Sequence, residues 1–368
     1  MDEGGRRGEA RRRLNRRSTD DENQKAANMA YTILFPDSRS DPLDIEREVA
    51  GPDVAELVNA RKDRFDAIEE ATWARADAVI VRFMPIDSKV IALMKKARIV
   101  VRNGVGFDVI DLKATGEAGI PACNVPDYGT TEVADSAIAM MMTFARGTAA
   151  LDAALRADLK TGWTHEHNVT ARRLRGATFG VVGLGRIGTA AALRARTFGM
   201  NVAFYDPGLP NGAELSFGFT RARTLNELLG MADVVSIHSP LTTETRAMIN
   251  ASAVAAMKPG AYVINTARGP ICDTAALVEG LKSGKLGAVG LDVLPKEPGT
   301  TDDPFVAAWK ANEPWIRGRA LLNPHSAFYS PDSNRDLRTK ALETALFYLR
   351  DGVLGNCVNS EYLKKPRK

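Results

Sequence analysis

Three residues in this sequence have the chemistry of a hydride-transfer site at a carbonyl: a guanidinium, a carboxylate and an imidazole. Arg268 ends the apolar run in "YVINTARG", Glu297 lies in "LPKEPG", and His325 follows a proline in "LLNPHSAFYS". His325 is one of four histidines in 368 residues. In such a trio the cation holds a substrate carboxylate and polarises the neighbouring carbonyl. The imidazolium gives a proton to the carbonyl oxygen as charge develops there, and the carboxylate keeps the ring oriented and charged. That chemistry suits a 2-keto acid. Each group also has a structural alternative: Arg268 capping a strand in a salt bridge, Glu297 solvated in its loop, His325 satisfied in a core. Sequence separation alone does not bring the three together.

A second pattern supplies the hydride's carrier. "VVGLGRIG" places Gly183, Gly185 and Gly188 in a G-x-G-x-x-G array. Glycine makes up about one residue in twelve here, so the array is weak by itself. Its context is specific. An apolar strand pattern precedes it, a helix-compatible stretch follows, and the next strand ends in Asp206, 18 residues beyond Gly188. Gly183 permits the tight turn, Gly185 lets the backbone approach a pyrophosphate, and Gly188 allows close helix–strand packing. A carboxylate at Asp206 suits ribose hydroxyls and repels a 2′-phosphate, which favours NAD over NADP.

These residues need strand ends and helix starts to position them. "YTILFPD", "DAVIVRF" and "ARIVVRNG" are near-continuous apolar runs, the pattern of parallel strands buried on both faces. A second series comprises "ATFGVVGLG", "MNVAFYD", "DVVSIH", "AYVINTARG" and "LGAVGLDV", with a short strand "ALLN" before His325. Helical patterns lie between them, one of them opening at a plausible N-cap, Asp273. This alternation predicts an α/β protein of two doubly wound parallel-sheet domains. The smaller, flavodoxin-like domain takes residues 30–125, plus 331–366 where the C-terminal helix expected over 332–352 crosses back to it, a return that the family resemblance set out below implies. The larger is a Rossmann cofactor domain over 126–330. One long helix is expected over 131–157, and Arg268, Asp292, Glu297 and His325 all fall at or just after strand ends.

Composition is ordinary for a globular chain, at 45% hydrophobic and 26% charged. A net charge of +4 is too small to argue for nucleic acid or an anionic membrane, and no run of 18 apolar residues occurs. Residues 1–29 form a polar, basic head that predicts disorder; its "RRRLNRR" has the look of a nucleic-acid or localisation patch but reads more simply as a solvated tail. Cys123, Cys272 and Cys357 are few, odd in number and far apart. That argues against a disulfide framework or a zinc site and for a reducing, cytoplasmic compartment. "HEH" at 165–167 has no nearby third ligand, so no metal is expected. "WKANEPWIRG" (309–318) reads as a packed insertion between Glu297 and His325.

"GVVGLGRIG", "INTARGPICD", "GLDVLPKEP" and "NPHSA" resemble the successive signatures of the D-isomer-specific 2-hydroxyacid dehydrogenases over residues 30–362. Within that family "VVRNGVGFDVIDL", "PACNVPDYGTTEVADS", "AFYDPGL", "HSAFYS" and "NCVN" look most like the C-terminal-binding-protein branch. The resemblance implies that Arg268 orients substrate, that His325 is the acid/base and that Glu297 is its partner. It implies that Val105 and Gly106 present backbone N–H groups to the substrate carboxylate, beside Arg102 and Phe328. For the cofactor it implies Arg186 and Ile187 in the glycine loop, His238, Ser239 and Pro240 at the adenine end, and Thr266, Ala267 and Asp292 on the nicotinamide side. It further implies a homodimer through the cofactor domains. Two departures stand out: Phe328 where co-repressor members carry tryptophan, and Val133 where they carry threonine.

Two functions follow from these residues. One is NAD-dependent interconversion of a small 2-keto acid and its D-2-hydroxy acid. The other is a dinucleotide-sensing, dimeric protein-interaction module with incidental turnover. Within enzymes, Glu297 disfavours formate dehydrogenases, which pair glutamine with the histidine. The short stretch after the last helix disfavours phosphoglycerate dehydrogenases that carry a regulatory domain.

Overall fold

A chain that alternates buried apolar runs with amphipathic helices has two ways to cover a parallel sheet, one helix layer on each face. A computed structural model describes residues 31–51 and 54–367 and shows this arrangement twice. Among the described residues, one compact unit runs to Tyr128 and resumes at Asn334, and the other is Gly129–Ser333.

The first unit carries β1 (Tyr31–Phe35), β2 (Val54–Asn59), β3 (Ala78–Val81), β4 (Ile99–Arg102) and β5 (Ala122–Asn124). Their order is β2-β1-β3-β4-β5, with every pair parallel. Strand order reverses between β1 and β3, and such a switch point leaves a crevice at the carboxyl ends. Every residue of β3 and β4 is buried, as their apolar runs require. The later part of the helix Pro331–Asp351 packs here. Arg338 reaches Asp44 (2.6 Å) and the buried Glu46 (2.5 Å), and Tyr31 Oη donates to Leu349 O (2.8 Å).

The second unit carries β6 (Thr178–Val182), β7 (Asn201–Tyr205), β8 (Thr220–Arg221), β9 (Val234–Ile237), β10 (Ala261–Asn265), β11 (Leu286–Leu291) and β12 (Ala320–Leu322). The order β12-β11-β10-β9-β6-β7-β8 is all parallel and reverses between β6 and β9, as in a dinucleotide-binding fold. Adjacent strand residues serve opposite faces. Val181, Val234 and Tyr262 join one core cluster, whereas Val182, Val235 and Val263 join the other.

The structure corrects the expected helix over 131–157. Thr130–Arg146 and Thr148–Ala157 are separate helices whose axes differ by 56°. Gly147 sits between them at φ +65°, and a Cβ there would lie 2.2 Å from the Asn168 side chain. Left-handed backbone and that close approach both need glycine, so the chain turns where the apolar periodicity runs straight through. The structure also has β2, β5 and β8, which no apolar run in the sequence announces. β5 has three residues and β8 two, too short for a periodic signal. Asp273 caps its helix as expected, accepting from Ala275 N (3.0 Å) and Ala276 N (3.4 Å).

Candidate active site

At the carboxyl end of β6 the three glycines do different things. Gly183 has φ +90°, and a Cβ on it would stand 2.8 Å from Ser239 N at the end of β9. A Cβ on Gly188 would stand 2.1 Å from Gly183 O. Both are therefore packing requirements of the turn. Gly185 differs: nothing lies within 4 Å of its would-be Cβ. It is the N-cap of the helix Arg186–Thr197 and makes no side-chain cap, so the first-turn N–H groups face open space. Asp206 ends the next strand, where its Oδ2 accepts from Leu184 N (2.9 Å) and its Oδ1 from Gly208 N (2.9 Å). That pins the glycine loop to the carboxylate.

Opposite this loop, the hydroxyl oxygens of Ser239 and Thr266 are buried without a protein partner. His238 follows β9, its ring bonded to Ser236 Oγ (2.8 Å), and burial lowers its imidazole to about 4, so it is neutral at pH 7. Arg186 is exposed, Ile187 half-buried and Pro240 exposed along the same rim. An open helix N-terminus, a carboxylate at the end of β7 and orphaned hydroxyls fit a dinucleotide.

His325 and Glu297 meet beyond β11. His325 Nδ1 lies 2.7 Å from Glu297 Oε2, while Glu297 Oε1 accepts from Leu294 N (3.0 Å). Burial raises the Glu297 carboxyl, but the hydrogen bond and charge of His325, with a smaller contribution from Arg268, outweigh it and hold the group below its ordinary value. Arg268 follows β10, with Nη1 donating to Ala267 O (2.8 Å). The tertiary fold thus brings the sequence's cation, carboxylate and imidazole together, and Phe328 stands edge-on to the His325 ring at 6.5 Å.

Asp292 follows β11 and holds the turn that carries His325. Its backbone O accepts from His325 N (2.8 Å), and its carboxylate accepts from Ser326 N (2.8 Å) and Ala327 N (3.0 Å). It is almost fully buried, and burial raises its pKa against those two hydrogen bonds. These bonds hold His325 at φ +53°, a left-handed conformation costly for a non-glycine residue. Ser136 Oγ on the long helix also donates to Ala327 O (3.0 Å). Asp292→Ala leaves two N–H groups without acceptors, at about 1–3 kcal/mol each. Chemical denaturation is expected to read that loss, and an unchanged midpoint would remove Asp292 from the support of this turn.

In the first unit, Arg102 ends β4 and is buried, its Nη1 donating to Asn103 O (3.0 Å). Gly104 has φ +147°, and any Cβ would coincide with the Arg102 guanidinium. The following loop is tied from behind: Asn124 Nδ2 donates to Val105 O (2.6 Å) and Val125 N to Gly104 O (3.0 Å). Among the described residues the N–H groups of Val105 and Gly106 donate to no protein acceptor. Arg39, Arg82 and Arg102 stand 6.0, 5.0 and 6.0 Å from the Phe83 ring centroid, after β1, after β3 and at the end of β4. Arg82 is depressed by burial and then by the charge of Arg39. Arg39 and Arg82 went unnoticed in the sequence; the available signal was a cation just past a strand end on each side of the switch point. "HEH" is an exposed turn, and no group of three metal-ligating side chains occurs among the described residues.

Residues 138–327 match the family model for the D-isomer specific 2-hydroxyacid dehydrogenase, NAD binding domain. The chain belongs to the D-isomer specific 2-hydroxyacid dehydrogenase family. It is 33% identical over 332 residues to the D-3-phosphoglycerate dehydrogenase of Methanocaldococcus jannaschii, covering 90% of this chain and 60% of that protein. It is 35% identical over 281 residues to the glyoxylate reductase of Korarchaeum cryptofilum, covering 76% of this chain and 81% of that protein. Among solved structures, the Aquifex aeolicus D-lactate dehydrogenase complexed with NAD and lactic acid is similar at TM-score 0.77 and 26% identity, covering 89% of this chain and 99% of that one. An NADPH-dependent glyoxylate/hydroxypyruvate reductase from Sinorhizobium meliloti, complexed with NADP and malonate, is similar at TM-score 0.77 and 27% identity, covering 92% and 99%. One of these neighbours thus holds NAD and the other NADP, and in this chain the glycine turn, His238, Glu297 and His325 all lie within the matched residues 138–327.

Proposed function

We propose that this protein is an NAD-dependent dehydrogenase interconverting a 2-keto acid and its D-2-hydroxy acid. The observation that carries the proposal is the His325–Glu297 pair at 2.7 Å, on a turn held by Asp292 within the matched segment. A nicotinamide held at this site would supply the hydride that reduces the carbonyl carbon. Glu297 accepts from Nδ1, which leaves Nε2 of the imidazolium as the proton donor to the carbonyl oxygen, and as the acceptor in reverse. Arg268 polarises that oxygen and keeps Glu297 ionised. Val105 and Gly106 N–H groups, with Arg102, hold the substrate carboxylate. Gly185 and the helix start at Arg186 receive the pyrophosphate, and Asp206 receives ribose hydroxyls in preference to a 2′-phosphate.

The arginines around Phe83 favour a keto acid with a second anionic group, such as the keto form of the phosphoglycerate relative's substrate, over glyoxylate. A panel of both kinds with NADH and NADPH tests substrate and cofactor together. NADH oxidation with the dianionic acid is the expected result. Asp206→Asn keeps the size of the side chain and removes its charge, giving up one of its two N–H acceptors because an amide has a single acceptor oxygen. It is expected to move the NADH:NADPH preference in kcat/KM by about tenfold or more, ~1.4 kcal/mol. A wild-type preference for NADPH would overturn the cofactor assignment.

The second reading is a dinucleotide-sensing homodimer of the C-terminal-binding-protein kind, supported by residues 203–209, 325–330 and 356–359. Tight NADH binding without oxidation across the panel, together with a dimer by light scattering, would favour it.

A further inference from the structure

Independently of that reaction, two cysteines distant in sequence meet in the first unit. Cys123 is the middle residue of β5 and fully buried, while Cys357 lies half-buried in the C-terminal segment. The two form an antiparallel bridge flanked by Val358 N to Ala122 O (2.8 Å) and Asn124 N to Asn356 O (3.3 Å). Hydrogen bonds on the flanks make the cysteines the non-hydrogen-bonded pair of that bridge. Opposite residues in such a pair have Cα atoms about 4.5 Å apart and side chains on one face. A disulfide spans Cα separations of roughly 4.4–6.8 Å.

We propose that Cys123 and Cys357 are an oxidisable dithiol that a peroxide closes to a disulfide. Cys357 is the attacking residue, since it alone of the pair reaches solvent. Its thiol is held down to about 6 by the hydrogen bond from Cys123, against burial, while that hydrogen bond and burial push Cys123 up. The Cys357 thiolate takes an oxygen from hydrogen peroxide, the O–O bond breaks, and the departing hydroxide is protonated to water. The Cys123 sulfur then attacks the resulting sulfenic acid, losing its proton and expelling a second water. Two thiols lose two electrons and the peroxide gains them. The product ties the C-terminal segment to β5, next to Asn124, which holds the Val105 loop. Cys272 is an internal control: it lies in the other unit, fully buried, and burial pushes its thiol up to about 12.

The test treats the full reduced chain with stoichiometric hydrogen peroxide, blocks remaining thiols, and maps peptides by mass spectrometry without reduction. Free thiols are expected to fall from three to one, with a single cross-link between the Cys123 and Cys357 peptides and Cys272 still alkylated. A thiol reductant restores all three. Cys123→Ser is expected to leave Cys357 as a sulfenic acid that a dimedone probe captures, and Cys357→Ser to leave Cys123 unoxidised. Three intact thiols after peroxide, oxidation of Cys357 without the cross-link in the wild-type chain, or a link between chains would each overturn the proposal.

Discussion

His325→Ala is expected to lower kcat by ~10²–10⁴-fold, about 3–5 kcal/mol of barrier, with NADH affinity nearly unchanged. The size follows from the proposed role: Nε2 would be the proton source at the oxygen that becomes an alkoxide, and no other group of the trio would donate a proton there. The small effect on NADH follows from position, since the residues that fit the dinucleotide lie after β6, β7, β9 and β10, whereas His325 follows β12. Because His325 adopts φ +53°, alanine adds backbone strain of its own. His325→Asn separates the two effects, since asparagine tolerates that conformation but cannot carry the proton. Both variants are expected to lose turnover alike, while only alanine loses stability. Turnover surviving in the asparagine variant would refute the acid/base assignment.

Gly185→Ala and Gly188→Ala are expected to fail in opposite ways, although both alter the same motif. At Gly185 a methyl meets no protein atom within 4 Å and φ is −75°, so the fold accepts it. The methyl stands where the backbone must approach a pyrophosphate. NADH affinity is therefore expected to fall about 10- to 100-fold, the worth of one or two charge-assisted hydrogen bonds, with the thermal midpoint unchanged. At Gly188 the methyl would stand 2.1 Å from Gly183 O, so the helix must move off the turn. Stability is expected to drop by about 1–3 kcal/mol, the usual cost of overpacking, and affinity falls with it. Calorimetry and NADH fluorescence titration on both variants separate the cases. Equal thermal losses in the two would show that Gly185 packs against protein and does not line the cofactor's path.

Much of this protein was legible in order along the chain. Buried parallel strands must be apolar on both faces, so β3, β4, β6, β9 and β10 announce themselves as runs, and residues just past them fall at the carboxyl edge where ligands bind. The glycine turn and Asp206 were readable because their spacing is set locally, by one strand, one turn and one helix. Arg268, Glu297 and His325 were identifiable by type and position, but nothing in sequence spacing brought them together. Contact between His325 and Glu297 depends on β12 lying beside β11, a pairing made through space. The anchoring of His325 by Asp292, the break at Gly147 and the meeting of Cys123 with Cys357 were decided in the same way. Each depends on a close approach between segments 21 to 234 residues apart, as the positions show. Periodicity records which face of an element is buried; which distant neighbour buries it is decided by packing in three dimensions.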